Sequence, residues 1–566
     1  MVMKRYILPL IAFLALPLNA QNVVDAVRFG SNDITGTARY RSMAGAFGAL
    51  GGDPSAMTDN PAGMGIFRGT SQISITPNLS FAHSTVDGSV KTKIKKSDAA
   101  VSNLGYVISF KTESAEHLVN FNVGVGFNHS ASLERRYRMV MDQPLSSFGA
   151  YLANRANNAL MATGQYSNPY YIETNGKKDP MFPLSAIYGF HRYAIDQVQT
   201  TDAGGNTTFY DGVESYDQRE GLPSYQRLLV NEHNRNDEYN INFSANWDDF
   251  IYGGLSISIA DFNSTINSEM NEDYQSDYKG NYTQYFNDLE TKGSGVGIKA
   301  GILIKPSDHW RLGAAVHTPT WYHMKDIYAA KMVTDDTRCD YKDHFEDETY
   351  EFRYRYYSPW EYQLSTAWVL GNKGLLSLEY DLKDFTSQKY KVDEDDDDGT
   401  DPYADVNSCF DDFCALQHTF KAGAELRVTD HFSLRCGYAY KTSPYQKDLL
   451  DHPGKSRGWS NGYFGDDNTL LYDSSNKPNY TILDDQQYIT AGMGWHGDSW
   501  FVDLSFMHHT QNELLAAYPT TDALYNIDEN GIVTMTNDPN YGAVSADHVK
   551  LTTRKLNWDL TVGFRF

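Results

Sequence analysis

Lys555-Leu556-Asn557-Trp558-Asp559-Leu560-Thr561-Val562-Gly563-Phe564-Arg565-Phe566 closes the chain and decides its fold. The side chains of a strand alternate between two faces. Here Leu556, Trp558, Leu560, Val562, Phe564 and Phe566 share one face, and Lys555, Asn557, Asp559, Thr561, Gly563 and Arg565 share the other. An amphipathic last strand ending in Phe is similar to the signal by which outer-membrane barrels are presented to their assembly machinery. The same parity recurs upstream, in Ile73, Ile75, Leu79 and Phe81, in Phe121, Val123, Val125 and Phe127, and in Tyr239, Ile241, Phe243 and Trp247. It continues through Trp310, Leu312, Ala314 and Val316 and through Trp500, Val502, Leu504 and Phe506.

Connection lengths sharpen the pattern. Very short links, such as Trp247-Asp248-Asp249-Phe250, Pro306-Ser307-Asp308-His309 and Gly371-Asn372-Lys373-Gly374, alternate with long polar ones. One rim of tight turns and one of long loops is the layout of an all-β, antiparallel, up-and-down membrane barrel. The segments count to about fourteen, and an even number brings both chain ends to the periplasmic rim. The sequence therefore predicts outward connections near 84–100, 132–237, 264–290, 322–348, 387–413, 443–484 and 512–547. The 132–237 connection is the longest and partly helical.

Composition agrees. Of 566 residues, 40 are Tyr, 28 Phe and 9 Trp, the aromatic load of a protein with rings at two membrane interfaces. Mean hydropathy is -0.52, and beyond residue 20 no apolar run is long enough for a membrane helix. Residues 1–20 read as a secretory signal: Lys4 and Arg5, an apolar Ile7–Leu18 core and a small-residue junction before Gln21. The formal charge of -24 argues against nucleic-acid binding. Its densest acidic run, 393–398, reads as a solvated loop, with a divalent-cation site as the rival. Cys409 and Cys414 are close enough to close a small loop by a disulfide, and Cys436 falls on the lipid-facing parity. No nucleophile elbow occurs, and no residue pattern calls for a metal or a cofactor, so the chain reads as a non-enzyme.

Residues 21–70 differ from the barrel at 71–566. They are rich in small residues, with Phe47, Leu50, Met57, Met64 and Phe67 interspersed and Asn60-Pro61-Ala62-Gly63 just ahead of the first strand. Such a segment buries too little to fold alone but can fill a lumen. On these residues and the barrel after them, the chain resembles the FadL-type family of outer-membrane transporters of long-chain fatty acids and other hydrophobic compounds. The resemblance implies an N-terminal hatch closing the lumen, and lateral release of solute near a kinked third strand. There Asn122, Gly124, Gly126 and Asn128 share the inward face; they either form that exit or are ordinary small lumen residues. In the long loop, Phe148, Leu152, Ile187 and Tyr188 lie at near-helical spacing, to wall an apolar vestibule or to hold two loop helices together.

Passive transport of hydrophobic small molecules is thus the leading expectation. The partners would be outer-membrane lipid, lipopolysaccharide, an apolar solute and, through Phe566, the barrel-assembly machinery. Haem uptake is one alternative, with His233, His452, His508 and His509 as candidate ligands. A structural or adhesive role is the other.

Overall fold

The computed structural model describes residues 21–69, 71–112, 117–163, 173–174, 177–178, 184–192, 194–201, 207–215, 223–274, 282–334, 349–393, 401–451, 477–520, 525–527, 533–535 and 544–566. The signal, most of the acidic run, Cys339 and His452 lie outside these residues.

Seventeen paired segments form one antiparallel sheet, and they make fourteen strands because three strands are interrupted. In chain order these are β1 (Gln72–Asp87), β2 (Lys91–Lys111), β3 (Leu118–Asp142), β4 (Tyr225–Trp247), β5 (Ile251–Asp273) and β6 (Tyr282–Ile304). Next come β7 (Trp310–His317 with Trp321–Thr334), β8 (Thr349–Tyr357 with Trp360–Val369) and β9 (Gly374–Asp384 with Lys389–Val392). The last five are β10 (Leu416–Arg427), β11 (Phe432–Lys441), β12 (Tyr480–His496), β13 (Trp500–Ala516) and β14 (Val549–Arg565). Pairing of β1 with β14 closes the barrel, and Ser71 and Phe566 exchange both backbone hydrogen bonds at its base.

The interruptions in β7 and β8 contain Pro319 and Pro359, which offer no N–H to a ladder. In β9 a 3-10 turn, Phe385–Ser387, is capped by the Asp384 carboxylate, which accepts from Thr386 N at 3.0 Å. The three breaks lie side by side, because Ser358 N donates to Thr320 O (3.2 Å) and Trp360 N to Ser387 Oγ (3.1 Å). Short turns hold one rim. In the 248–250 turn both Asp248 and Asp249 have positive φ, the backbone that a tight hairpin requires.

The outward face carries an exposed apolar belt, from Ile73, Ile75, Leu79 and Phe81 on β1 to Trp558, Leu560, Val562 and Phe564 on β14. Trp247, Trp310, Trp368, Trp495 and Trp500 ring the short-turn rim. A closed barrel, apolar outside and polar inside, satisfies its backbone within a bilayer, and this one spans a bacterial outer membrane.

Strand boundaries depart from expectation in one direction. β1 and β2 are joined across only 88–90, not 84–100, and the longest connection is 143–224, not 132–237. Likewise β5 and β6 are joined across 274–281, and β7 and β8 across 335–348. The wall continues well beyond the apolar belt. Outside the belt the outward face turns polar and apolar residues move to the inward face, as Phe262, Ile266 and Met270 do on β5, so the parity that reveals a strand is lost while its ladder persists. The connections also contain helices α3 (Phe148–Thr163), α4 (Leu184–His191) and α5 (Ala404–Phe413).

The expected Cys409–Cys414 bridge is not formed. Both residues are buried around α5, and Cys414 keeps a thiol that accepts from Gln388 Nε2 at 3.5 Å. Burial pushes that thiol well above its ordinary pKa. Cys436 is exposed on the outer face.

Candidate functional site

Residues 21–69 lie within the ring of strands. Two helices begin the segment, αN1 (Val23–Gly30) and αN2 (Ala38–Ser42). Asn22 caps αN1 by accepting from Asp25 N at 2.7 Å, and Thr37 caps αN2 by accepting from Tyr40 N at 3.2 Å. Two 3-10 turns follow, Pro54–Met57 and Pro61–Ile66, each with its Pro in the first turn and a polar cap, Asp53 or Asn60.

Asn60 joins three parts of the structure. Its Nδ2 donates to Gly48 O (2.7 Å) and to Ile302 O of β6 (3.2 Å), while its Oδ1 accepts from Ala62 N (3.1 Å). Pro61 and Ala62 rest on β5 at Gly254, where any Cβ would meet the Pro61 carbonyl carbon at 2.2 Å. Gly63 packs on Gly51, whose φ is +61°. The Asn60-Pro61-Ala62-Gly63 motif is therefore a pin between segment and wall.

Elsewhere polar groups fix the segment. Arg41 Nη1 reaches Asp559 of β14 at 2.6 Å, and Phe47 N and Gly48 N both donate to Glu379 of β9 (3.0 and 2.6 Å). Lys421 of β10 gathers Glu379 (2.6 Å), Asp381 (2.7 Å) and, at 3.9 Å, Asp59 of the segment. Tyr40 Oη and Gln363 Nε2 donate to Asp59 at 3.2 and 2.7 Å. Burial raises the Asp59 carboxyl to about 6 despite the Lys421 ammonium.

The apolar residues singled out in the sequence fall into two groups. Phe47 and Leu50 pack with Met43, Tyr40, Tyr488 and Met507; Met57, Met64 and Phe67 pack with Ala56 and Val107. All are buried and hold the segment to the wall. Phe148, Leu152 and Tyr188 are at most 1 % exposed and join a large aromatic cluster filling the outer half of the barrel. The Phe148 ring lies 5.2 Å from that of Tyr285 and 5.8 Å from that of Tyr518. These three residues form no vestibule wall, because the loop helices fold back onto inward aromatic residues of the strands. The side chain of Ile187 lies outside the described set.

The open space lies elsewhere. A cavity of about 100 Å³ is bounded by Val24, Val27, Arg28 and Asp33 of the segment and by inward groups of β3, β4, β12, β13 and β14. Tyr137, Tyr480, Leu133 and Leu483 give it apolar surface, and Arg135, Glu232, Glu513, His509 and Lys555 give it charge. Arg135 donates from Nε to Glu232 at 2.6 Å and pairs through Nη1 with Glu513. Burial works to raise the Asp33 carboxyl, but Lys555, His509, Arg41 and Lys441 outweigh it and hold it well below the usual carboxylate range. His509 stacks on Tyr488 with centroids 4.1 Å apart, and His508 occupies the opposite parity of β13. His233 pairs with Glu134.

Beside the cavity the β2–β3 ladder is interrupted. β2 and β3 pair only from Asn103↔Asn128 to Lys111↔Asn120. Beyond that, 91–102 pairs with β1 alone and 129–142 with β4 alone. The edges meet again at the outer end, where Val90 N donates to Val140 O at 3.5 Å and Thr92 Oγ1 to Arg138 O. Between lies a window in the ladder, crossed by a Lys96–Glu134 ion pair at 2.7 Å. It starts at a bulge on β3, where register shifts between His129 and Ala131. The N-terminal segment runs along its lower edge: Asp33 N donates to Ser130 O (3.1 Å), Asn128 Nδ2 to Thr35 Oγ1 (3.1 Å) and Ser102 Oγ to Gly36 O (3.2 Å).

The sequence left Asn122, Gly124, Gly126 and Asn128 between an exit and ordinary small lumen positions. Gly124 and Gly126 sit in unbroken ladder on both sides, and their missing side chains admit Met57, whose Sδ would lie 2.9 Å from a Cβ at Gly124. Asn122 is likewise within the ladder, where its Nδ2 donates to Met64 O at 2.8 Å. Only Asn128 of the four borders the opening. Arg135, Glu134 and Lys96 were missed because they read as loop residues.

No protein-family model and no curated protein matches the chain. Similar solved structures include a FadL homologue of Pseudomonas aeruginosa and the toluene transporter TodX of P. putida, each with a TM-score of 0.47, 11% identity, and coverage of 94% of this chain and 99% of the other. The toluene transporter TbuX of Ralstonia pickettii gives 0.43 and 12%, covering 94% and 99%. The fold of the present chain rests on its own closed ladder.

Proposed function

We propose that this protein carries hydrophobic small molecules passively across the outer face of the outer membrane and releases them sideways into the bilayer. The carrying observation is the unpaired stretch between β2 and β3 beside an internal cavity. The break leaves two long neighbouring strand edges without each other as partners, which marks it as a route. Its lower end lies at the level of outward Leu79, Ala99 and Val101, the outer end of the apolar belt. On the lipid side a groove of about 760 Å³ is lined by Leu79, Val101, Leu504, Trp558 and Leu560 and by window residues His129 and Glu134. An apolar solute leaving the cavity would pass from aromatic surface to lipid without crossing bulk water. Residues 21–69 act as the hatch, blocking the direct path to the periplasm and forming the sill of the window. The resemblance to the FadL-type family supports the same reading, with fatty acids and monoaromatic hydrocarbons as the solute classes to try first.

The test locks the window. Lys96→Cys with Glu134→Cys, in a Cys339→Ser, Cys436→Ser background, is treated in whole cells with a bis-maleimide or a mono-maleimide. Uptake of labelled oleate and of toluene should fall with the bridging reagent alone. Equal uptake under both reagents would place the route through the lumen instead.

A further inference from the structure

A chain of net charge -24 nevertheless gathers cations on one outward patch. The strand registers place them. Lys95 and Arg554 flank His83 on neighbouring strands, Lys93 lies opposite Thr85, and Lys91 and Lys550 flank Asp87. Arg138 follows on β3, whose carbonyl receives the Thr92 hydroxyl. All six cations are exposed. Lys91 pairs with Asp87 at 2.6 Å, while among the described residues no carboxylate pairs with Lys93, Lys95, Arg138, Lys550 or Arg554. Like charges on adjacent strands repel, so the patch is poised for an external anion.

What lies beneath it identifies the anion's carrier. The next rung toward the membrane holds Phe81 and Leu556, and the one after holds Leu79 and Trp558. These strands also line the apolar groove on the lipid side, with Val101, Leu504 and Leu560. Cations therefore sit directly above an acyl-sized apolar surface on the same strands, on the rim opposite the chain ends. Three rungs at ~7 Å and four strands at ~5 Å make a patch of about 14 by 15 Å, wide enough for more than one phosphate.

We propose that this face binds the phosphorylated lipid anchor of lipopolysaccharide, its phosphates on Lys91, Lys93, Lys95, Arg138, Lys550 and Arg554 and its acyl chains on Leu79, Phe81 and Trp558. The site lies beside the window on the same hairpin, and it stands whether or not solute leaves there.

The experiment compares wild type with Lys93→Glu/Lys95→Glu/Arg554→Glu in detergent, by native mass spectrometry with added lipid A and, separately, phosphatidylglycerol. Heat-modifiable migration confirms that each barrel is assembled; if the triple variant fails that check, Lys93→Gln/Lys95→Gln replaces it. Lipid A binding should weaken about tenfold or more, since each cation near an anionic headgroup contributes ~1 kcal/mol. Phosphatidylglycerol, with one phosphate, should bind wild type weakly and change little. Equal lipid A binding by both proteins overturns the site. An equal loss for both lipids overturns the choice of a multiply phosphorylated occupant.

Discussion

Asp59 shows how one residue couples the segment to the wall. Its carboxylate meets Tyr40 and Gln363, and the wall opposes it with Lys421, which Glu379 and Asp381 already share. Burial raises its carboxyl from 3.8 to about 6. Between those values the docked protein holds a proton that an undocked segment releases. This group's contribution to docking is therefore full below pH 4, shrinks as pH rises, and is lost above about 6. Protection factors of the Gly48–Gly52 amides, taken against the base-catalysed intrinsic rate at each pH, should be higher at about pH 5 than at about pH 7.5, and Asp59→Asn should flatten that difference. An unchanged pH profile in the variant would move the effect to Glu379 and Asp381. The sequence exposed the Asn60 motif through its place in a small-residue segment just ahead of the first strand. It hid the acid cluster, because Glu379, Asp381 and Lys421 look like ordinary inward polar residues until β9 and β10 are paired.

At the scale of elements, the apolar parity of each strand was legible, and so was their number, because the bilayer imposes period two on one face. The unpaired edges of β2 and β3 were not, since nothing in Lys91–Ser102 or His129–Asp142 distinguishes a paired strand from a lone edge. The glycines make a sharper case. Those on β3 attracted attention, yet the close contacts of a Cβ at Gly124 would be the flexible ends of Met57 and Met64, with Asn242 Cβ at an ordinary 3.6 Å. On β5 a Cβ at Gly254 would press on the Pro61 backbone at 2.2 Å, and on β6 one at Gly301 would meet Asn60 Oδ1 at 2.0 Å. Overpacking of this kind typically costs ~1–3 kcal/mol, and backbone gives way less readily than a Met side chain. Gly254→Val should loosen the Pro61–Ile66 turn, read as proteolysis within 50–69, while Gly124→Val leaves the cleavage pattern near wild type. Greater cleavage in Gly124→Val would restore β3 as the main seat of the segment.

Over the whole molecule, two fillings share one lumen. The segment occupies the periplasmic half through the Asn60, Glu379 and Arg41 contacts, and the loop-borne aromatic cluster around Phe148, Tyr151, Tyr285 and Tyr518 occupies the outer half. They meet at αN1, whose Val23, Val27 and Phe29 belong to that cluster, with Phe29 set edge-on to Phe262 and Tyr356 at 5.1 and 5.6 Å. Removing residues 21–69 thus takes away the lower plug and one wall of the upper packing together. The outer wall should survive, because its fourteen strands close through β1 and β14 without the segment. The deletion should migrate as a heat-modifiable barrel and raise single-channel conductance in planar bilayers from near closed to a steady open level. A barrel that assembles yet stays closed would show that the aromatic cluster alone seals the pore. In that case the Asn60 motif would serve the window, as its sill, and not the lumen.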